Sequence, residues 1–142
     1  MSDIATSIHV CVTCRLPGEA AEPMSERAGA RLYEALRQVQ GRRADQVEFL
    51  PVTLLPVECL SVCKRPCTIG FSAAGKWTYV YGDFAPDDST ANAILDAAAL
   101  YAAAPDGLIP WKQRPDALKK GVVARIPPFP AKPLTDLPEA AE

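Results

Sequence analysis

Histidine, long apolar runs and the common catalytic motifs are nearly or wholly missing from this chain of 142 residues. Its one histidine, His9, belongs to no Ser-His-Asp arrangement, and the sequence contains neither a P-loop nor a G-x-G-x-x-G segment. We therefore expect no substrate-converting active site, and the protein is not predicted to be an enzyme. No apolar run reaches the roughly 18 residues of a membrane span, and the first residues lack the basic and apolar regions of a secretory signal.

An excess of charge of one sign is also lacking. Lys and Arg number 15 against 17 Asp and Glu, for a formal net charge of −2, so the basic balance of nonspecific nucleic-acid binding is absent. Hydrophobic residues at 49% and charged residues at 23% match ordinary globular usage. We expect a folded, cytoplasmic protein that binds neither nucleic acid nor membranes.

Five cysteines are the abundant chemical feature, in two groups separated by 44 residues. The first group reads C-x2-C and the second C-x3-C-x3-C, at Cys11, Cys14, Cys59, Cys63 and Cys67. An odd number of thiols in a reducing compartment makes a poor disulfide framework, and random placement of structural thiols would rarely produce such clustering. Two loops that each bring two thiolates to one centre are what a metal or iron–sulfur site requires.

Hydrophobic spacing predicts the order of the elements as β-α-β-β-β-α. The predicted helices run from Ser25, as N-cap, to about Gln40 before Gly41, and from the caps Asp87, Asp88 and Ser89 to about Ala103. The predicted strands cover residues 7–12, 46–55, 68–72 and 76–82. A right-handed parallel crossover followed by a hairpin gives an α/β, thioredoxin-like mixed sheet with helices packed on it. Both cysteine loops would then follow strands at the same end of the sheet.

The last part of the chain is rich in proline. We assign residues 1–109 to the thioredoxin-like metal- or cluster-binding domain and residues 110–142, which hold seven of the 14 prolines, to a C-terminal extension. A helical turn is predicted near residues 115–118, and residues 127–142 are expected to be disordered or extended.

Few other side chains suggest a site. His9 is expected to bond a strand neighbour, and Trp77, Tyr79 and Tyr81 to pack in the core or across strands. Trp111 would either attach the extension to the domain or contribute to a partner surface.

Three chemistries suit the cysteines. A thiol–disulfide pair follows a strand in thioredoxins as Cys11 and Cys14 do here, and a helix N-terminus lowers the thiol pKa of such a pair. Here Pro17, Gly18 and Pro23 keep the next helix about ten residues away, so that activation is expected to be missing. Zinc suits four thiolates, although zinc ribbons place their pairs much closer together than 44 residues. A [2Fe–2S] cluster needs four thiolates from two loops and suits a cytosolic protein.

The segment from Cys59 to Cys63, after a strand and before a hairpin, resembles the second ligand loop of the thioredoxin-like [2Fe–2S] ferredoxins. Cys11, at the end of the first strand, looks like their first ligand, whereas Cys14 follows it at a shorter spacing than theirs. Cys67 stands where those ferredoxins usually have no cysteine. Our hypothesis, based on the match of the C-x3-C segment to that ferredoxin loop, is that Cys11, Cys14, Cys59 and Cys63 hold the cluster, with Cys67 as a spare, fifth or alternative ligand.

The whole chain, over residues 8–128, is similar to an uncharacterised bacterial family of predicted metal-binding proteins. The segments that carry the similarity are 11–14, 59–67, 75–79, 106–111, 114–115 and 125–128, of which C-L-S-V-C-K-R-P-C is the specific one. Members of that family are often encoded near cobalamin-synthesis genes, which implies cobalt chemistry, or an electron supply for it, as an alternative.

The favoured interpretation is a [2Fe–2S] protein of low potential that passes single electrons to a redox partner protein. The cluster is anionic in both redox states, and Arg15, Lys64 and Arg65, next to ligands, are either its charge partners or ordinary solvated loop charges. Ferredoxins of this kind are often dimers, so the resemblance also implies a homodimer. The alternatives are a zinc- or cobalt-binding protein for metal delivery or structure and, third, a thiol–disulfide redox protein.

Overall fold

A computed structural model of the chain describes residues 6–43 and 52–128. Within these ranges it has five strands, two helices and three short 3-10 turns. The strands and helices are β1 (Thr6–Cys11), α1 (Ala28–Arg43), β2 (Val52–Val57), β3 (Ile69–Ser72), β4 (Thr78–Tyr81), α2 (Asp88–Ala103) and β5 (Val122–Ile126). The predicted order of the first six elements and the α/β class are confirmed.

The strands form one mixed sheet in the order β2-β1-β3-β4-β5. β1 and β2 are parallel and joined through α1, as the crossover predicts, and the other pairs are antiparallel. Cys11 lies opposite Val57 at the last position of the parallel pair. The chain segments that follow β1 and β2, which carry the two cysteine groups, therefore leave the sheet at the same end.

One face of the sheet carries the core. Ile8, Val10, Phe71, Tyr79 and Tyr81 are fully buried or nearly so and form one apolar cluster with side chains of both helices. The two helices also contact each other, so they cover the same face. Burying each large apolar side chain in this cluster contributes about 1.5–3 kcal/mol.

Two predictions for individual side chains are confirmed. Tyr79 and Tyr81 pack in the core with their rings stacked at 5.5 Å. His9, whose strand neighbours Ile8 and Val10 are fully buried, is only partly buried, and its Nε2 hydrogen-bonds the Ser72 Oγ at 2.9 Å. The histidine therefore has a structural partner on the adjacent strand.

The start and the end of α1 differ from the prediction. Ser25 lies in the 3-10 turn Met24–Glu26 rather than at an N-cap, and the helix begins at Ala28, whose N–H donates to the Glu19 Oε1 at 3.0 Å. Gly41 does not end the helix, which continues to Arg43. A carboxylate nine residues upstream takes the place of the local cap that the sequence suggested.

The start of α2 agrees with the prediction, whereas the second strand is shifted. Asp87 caps α2 as predicted, accepting the Thr90 N–H at 2.8 Å. The second strand was predicted at residues 46–55 and is observed at Val52–Val57, while residues 44–51 lie outside the described part of the chain.

The C-terminal extension contains a strand that the sequence analysis did not predict. β5 pairs antiparallel with β4 and forms one edge of the sheet. The turn predicted near residues 115–118 is present as the 3-10 segment Asp116–Leu118, and it buries Leu118 completely. Trp111 is 56% exposed and donates its indole N–H to the Lys119 carbonyl at 3.2 Å. Within the extension, β5 therefore belongs to the sheet, and the Asp116–Leu118 turn contacts α2. Of residues 127–142, predicted to be disordered or extended, all but 127 and 128 lie outside the described ranges.

Neither of the helices in the described part of the chain is both long and apolar enough to cross a bilayer.

Candidate metal centre

The two cysteine groups lie side by side at the end of the parallel strand pair. We call residues 11–14 the first cysteine loop and residues 58–68 the second. The Cys11 N–H donates to the Thr68 carbonyl and the Val12 N–H to the Val57 carbonyl, both at 3.0 Å. The Thr13 hydroxyl donates to the Glu58 carbonyl, immediately before Cys59. Each of the three residues 11, 12 and 13 thus donates a hydrogen bond that attaches the first loop to β2 or to the second loop.

A cleft of about 650 Å³ opens between the loops. Four of the five cysteines line it, namely Cys11, Cys14, Cys59 and Cys63. Cys11 and Cys14 are buried, whereas Cys59 and Cys63 are exposed. Within residues 6–43 and 52–128, no three His, Cys, Asp or Glu side chains already stand close enough together to hold a metal ion. The structure therefore brings the four predicted ligands to one cleft without closing them around a centre.

The two sulfurs of the first loop are in contact. The Cys14 thiol donates to the Cys11 Sγ at 3.1 Å. This hydrogen bond lowers the pKa of Cys11 to about 5, and the same contact, together with burial, raises the pKa of Cys14. The contact therefore favours a state in which Cys14 holds the proton of the pair and Cys11 carries the negative charge.

Backbone N–H groups surround these sulfurs. Those of Thr13 and Leu60 lower the pKa of Cys11, and those of Thr68 and Cys67 act in the same direction on Cys14. Most of these donors belong to the second loop. Such donors stabilise a thiolate and, around an iron–sulfur cluster, tune its potential.

The second loop turns sharply within its C-x3-C segment. Ser61 has a left-handed φ of 62°, uncommon for a residue other than glycine. This conformation lets the Ser61 N–H donate to the Cys59 Sγ at 3.1 Å. Cys59 therefore also has a backbone donor while its side chain stays exposed to the cleft.

Cys67 differs from the other four cysteines. It is completely buried, belongs to the apolar core cluster and does not line the cleft. Burial raises its pKa to about 11. The structure thus places this fifth thiol in the core, where it packs as a small apolar side chain.

The N-terminus of α1 lies against the first cysteine loop, although 13 residues separate Cys14 from Ala28. The Gly29 N–H donates to the Cys14 carbonyl at 3.1 Å, and a Cβ atom on Gly29 would overlap the Cys11 carbonyl oxygen. The sequence interpretation that distance along the chain removes this helix from the cysteines is therefore wrong, because the loop in between returns the chain to them. The positive end of the helix dipole favours a thiolate here.

The charged residues at the cleft are not all those that the sequence suggested. Arg15 lines the cleft and is exposed. Lys64 and Arg65 do not line it, and the Arg65 Nε binds the Asp83 carboxylate at 2.7 Å. Instead the cleft is lined by Arg27 and Glu19, which the sequence analysis missed. No spacing pattern connects either residue to a cysteine, so only the folded chain shows the contact.

The donor set fits a metal or cluster held by thiolates. With sulfur–metal bonds of about 2.3 Å, two tetrahedral ligands have sulfurs about 3.8 Å apart, so the Cys11 and Cys14 sulfurs, hydrogen-bonded at 3.1 Å, would move apart by about 0.7 Å to bind one metal. Cys59 and Cys63, from the opposite side of the cleft, would supply the remaining two thiolates.

The fold and this cleft define a thioredoxin-like α/β protein with four thiols gathered at one end of the sheet. The thioredoxin-like [2Fe–2S] ferredoxin from Aquifex aeolicus has a similar structure, with a TM-score of 0.52 at 18% sequence identity over 87% of this chain and 96% of that one. At this identity the likeness shows the fold. The family model for the protein of unknown function DUF1636 matches residues 8–128, and the chain belongs to that family. No curated protein sequence gives a significant match.

Proposed function

We propose that this protein is an electron carrier that holds one [2Fe–2S] cluster through Cys11, Cys14, Cys59 and Cys63. The observation that carries the proposal is the cleft lined by four thiols from two loops, with backbone N–H groups directed at the sulfurs of Cys11, Cys14 and Cys59. The fold neighbour is itself described as a [2Fe–2S] ferredoxin, which supports the same choice of cofactor.

The chain's own residues account for the other requirements of such a site. A bound cluster would supply exchange of one electron at a time. Thiolates and cluster together are anionic, and the N–H groups of Leu60 and Ser61, the N-terminus of α1 and the Arg27 guanidinium offset that charge. Cys59 and Cys63 are exposed, so a redox partner protein could approach the cluster from their side of the cleft.

The first test is to purify the protein anaerobically and to measure iron, acid-labile sulfide, zinc and the visible spectrum on one sample. We expect a red-brown protein with about two iron and two sulfide per chain that bleaches with dithionite. A colourless protein carrying one zinc, or a protein carrying cobalt, would contradict the proposal and favour metal delivery or a structural metal.

The contact between Cys11 and Cys14 favours a second candidate, thiol–disulfide exchange. The Cys11 thiolate would attack one sulfur of a substrate disulfide and release the other as a thiol, and Cys14 would then displace the substrate from the mixed disulfide. The two cysteines lose two electrons as they form a disulfide, and the substrate disulfide gains them. The two thiols released from the substrate take one proton from Cys14 and one from water.

Mass spectrometry of the reduced, metal-free protein after reaction with a small-molecule disulfide tests this candidate. Loss of two hydrogens from the peptide holding Cys11 and Cys14, reversed by dithiothreitol, is expected if the exchange occurs. A stable mixed disulfide at Cys11 that Cys14 never resolves would eliminate it.

A further inference from the structure

The Arg27 side chain bonds both the first cysteine loop and the middle of the segment that separates this loop from α1. Its Nη1 donates to the Thr13 carbonyl at 3.1 Å, and its Nε donates to the Ala21 carbonyl at 2.8 Å. Thr13 stands directly before the ligand candidate Cys14. One guanidinium thus joins the first cysteine loop to residue 21, eight positions further along the chain.

The charge of Arg27 is largely buried and weakly paired. Its side chain is 16% exposed, and it lines the cysteine cleft. Its carboxylate partner, Glu22, lies 3.9 Å away with a side chain that is 78% exposed, so water screens most of that attraction. A buried cation whose counter-ion is in solvent retains most of its field for an anion in the cleft.

We propose that Arg27 is the positioning residue of the cluster site. It holds the Cys11–Cys14 loop in the conformation that presents both sulfurs to the cleft, and its buried positive charge favours the reduced, more negative cluster. The effect of the charge on the cluster rests on the proposed function. The positioning of the loop does not, because its hydrogen bonds exist without a metal.

Arg15 is the natural comparison, since it has the same charge and lines the same cleft. Its Nη1 reaches the Glu19 carbonyl at 3.3 Å, and the residue is exposed. That hydrogen bond stays within the segment between the first cysteine loop and α1, and the Arg15 charge is exposed to solvent. We expect substitution of Arg15 to have little effect on the site.

Four variants separate these roles. Arg27→Gln removes both the positive charge and the guanidinium that makes the two hydrogen bonds. Arg27→Lys keeps the charge but lacks the planar guanidinium, and Arg15→Gln removes the exposed charge. Arg37→Gln on the outer face of α1, where Arg37 pairs with Glu34, is the control for loss of a surface arginine.

The first readout is the ratio of reduced to oxidised cluster at a fixed solution potential. We expect Arg27→Gln to lower this ratio about tenfold, equivalent to about 59 mV for a one-electron couple, and Arg27→Lys to restore most of it. Arg15→Gln and Arg37→Gln should stay within about twofold of the original protein. An unchanged ratio in Arg27→Gln, or an equal fall in Arg15→Gln, would overturn the claim that the charge of Arg27 favours the reduced cluster.

The second readout needs no cluster. Amide hydrogen exchange of the metal-free protein is followed over residues 12–24, and both Arg27 variants should exchange there about fivefold faster than the Arg37→Gln control. Equal exchange in all variants would overturn the positioning role. If the original protein binds no iron and sulfide, the electron-carrier proposal fails while this measurement still decides whether Arg27 holds the loop. Should Arg27→Gln not fold, Arg27→Lys alone carries the exchange comparison.

Discussion

The two cysteine loops differ in how firmly the fold holds their sulfurs. In the first loop, Cys11 and Cys14 are buried, in mutual contact and attached to β2, the second loop and α1. In the second loop, Cys59 and Cys63 are exposed, and their spacing depends on a left-handed turn at Ser61.

The difference means that the first loop is the more ordered half of the cleft, with its two sulfurs in contact at 3.1 Å. If the cleft binds a cluster as proposed, the exposed cysteines of the second loop would have to move further than those of the first. The free-energy cost of ordering the site would then fall mainly on the second loop. The predictions that follow test this division.

The largest effect is expected from removing ligands. Single serine substitutions at Cys11, Cys14, Cys59 or Cys63 should each reduce iron from about two per chain to near zero. Cys67→Ala should retain iron, because that thiol lies in the core and away from the cleft. Iron and sulfide assays check both. Loss of iron in Cys67→Ala with retention in Cys14→Ser would reverse our ligand assignment.

A smaller effect is expected from disturbing the contact between α1 and the first loop. Gly29→Ala places a methyl group on the Cys11 carbonyl, and such overpacking should lower the free energy of unfolding by about 1–3 kcal/mol. Gly41→Ala is the matched control, since nothing lies within 4 Å of its added Cβ and glycine inside a helix costs about 0.5–1 kcal/mol. The urea concentration at the unfolding midpoint should therefore fall for Gly29→Ala and rise for Gly41→Ala. A change in the same direction for both variants would contradict the contact.

The thiol pair itself predicts a pH dependence. In the reduced, metal-free protein, the rate of Cys11 alkylation should rise through an inflection near pH 5, because the Cys14 thiol lowers the pKa of Cys11 to about 5. Cys14→Ala removes that donor, so the inflection should move towards the ordinary thiol range near pH 8.5. Peptide mass spectrometry distinguishes Cys11 from the exposed thiols. An inflection that stays the same in both proteins would show that the pair does not share a proton.

The smallest effect concerns the carboxylate that caps α1. The N–H of Leu16 and that of Ala28 hold the pKa of Glu19 below its usual range, as does the Arg31 guanidinium at 2.5 Å. A lowered folded-state pKa stabilises the fold above about pH 4.5, and this contribution disappears as the pH falls through the folded value.

Glu19→Gln should therefore lower the thermal unfolding midpoint by a few degrees at pH 7 and by less at low pH. Glu34→Gln, which removes an exposed carboxylate paired with Arg37, is the control and should change little at either pH. An equal loss for Glu19→Gln at both pH values would mean that the carboxylate acts by shape rather than by charge.

Much of the architecture could be predicted from local patterns. Apolar residues at helical spacing within residues 25–40 and short β-branched runs at residues 7–12 and 68–72 indicate α1, β1 and β3, because amphipathic periodicity reflects which face is buried. β5 was not predicted because its five residues lie in a proline-rich segment. Its partner β4 is also more than 40 residues earlier in the chain, so no local pattern connects the two strands. The true start of α1 escaped prediction because its cap, Glu19, is not adjacent to the helix.

The clustering and spacing of the five cysteines are enough to predict a thiolate centre without coordinates. The order of the first elements likewise predicts the parallel crossover that brings both loops to one end of the sheet. Three features needed the folded chain, namely which thiols reach the cleft, the burial of Cys67 in the core, and the contacts of Arg27 and Gly29 with the first loop. Residue type and periodicity act over a few positions, whereas these contacts join segments that meet only when the apolar core of the sheet and helices is packed.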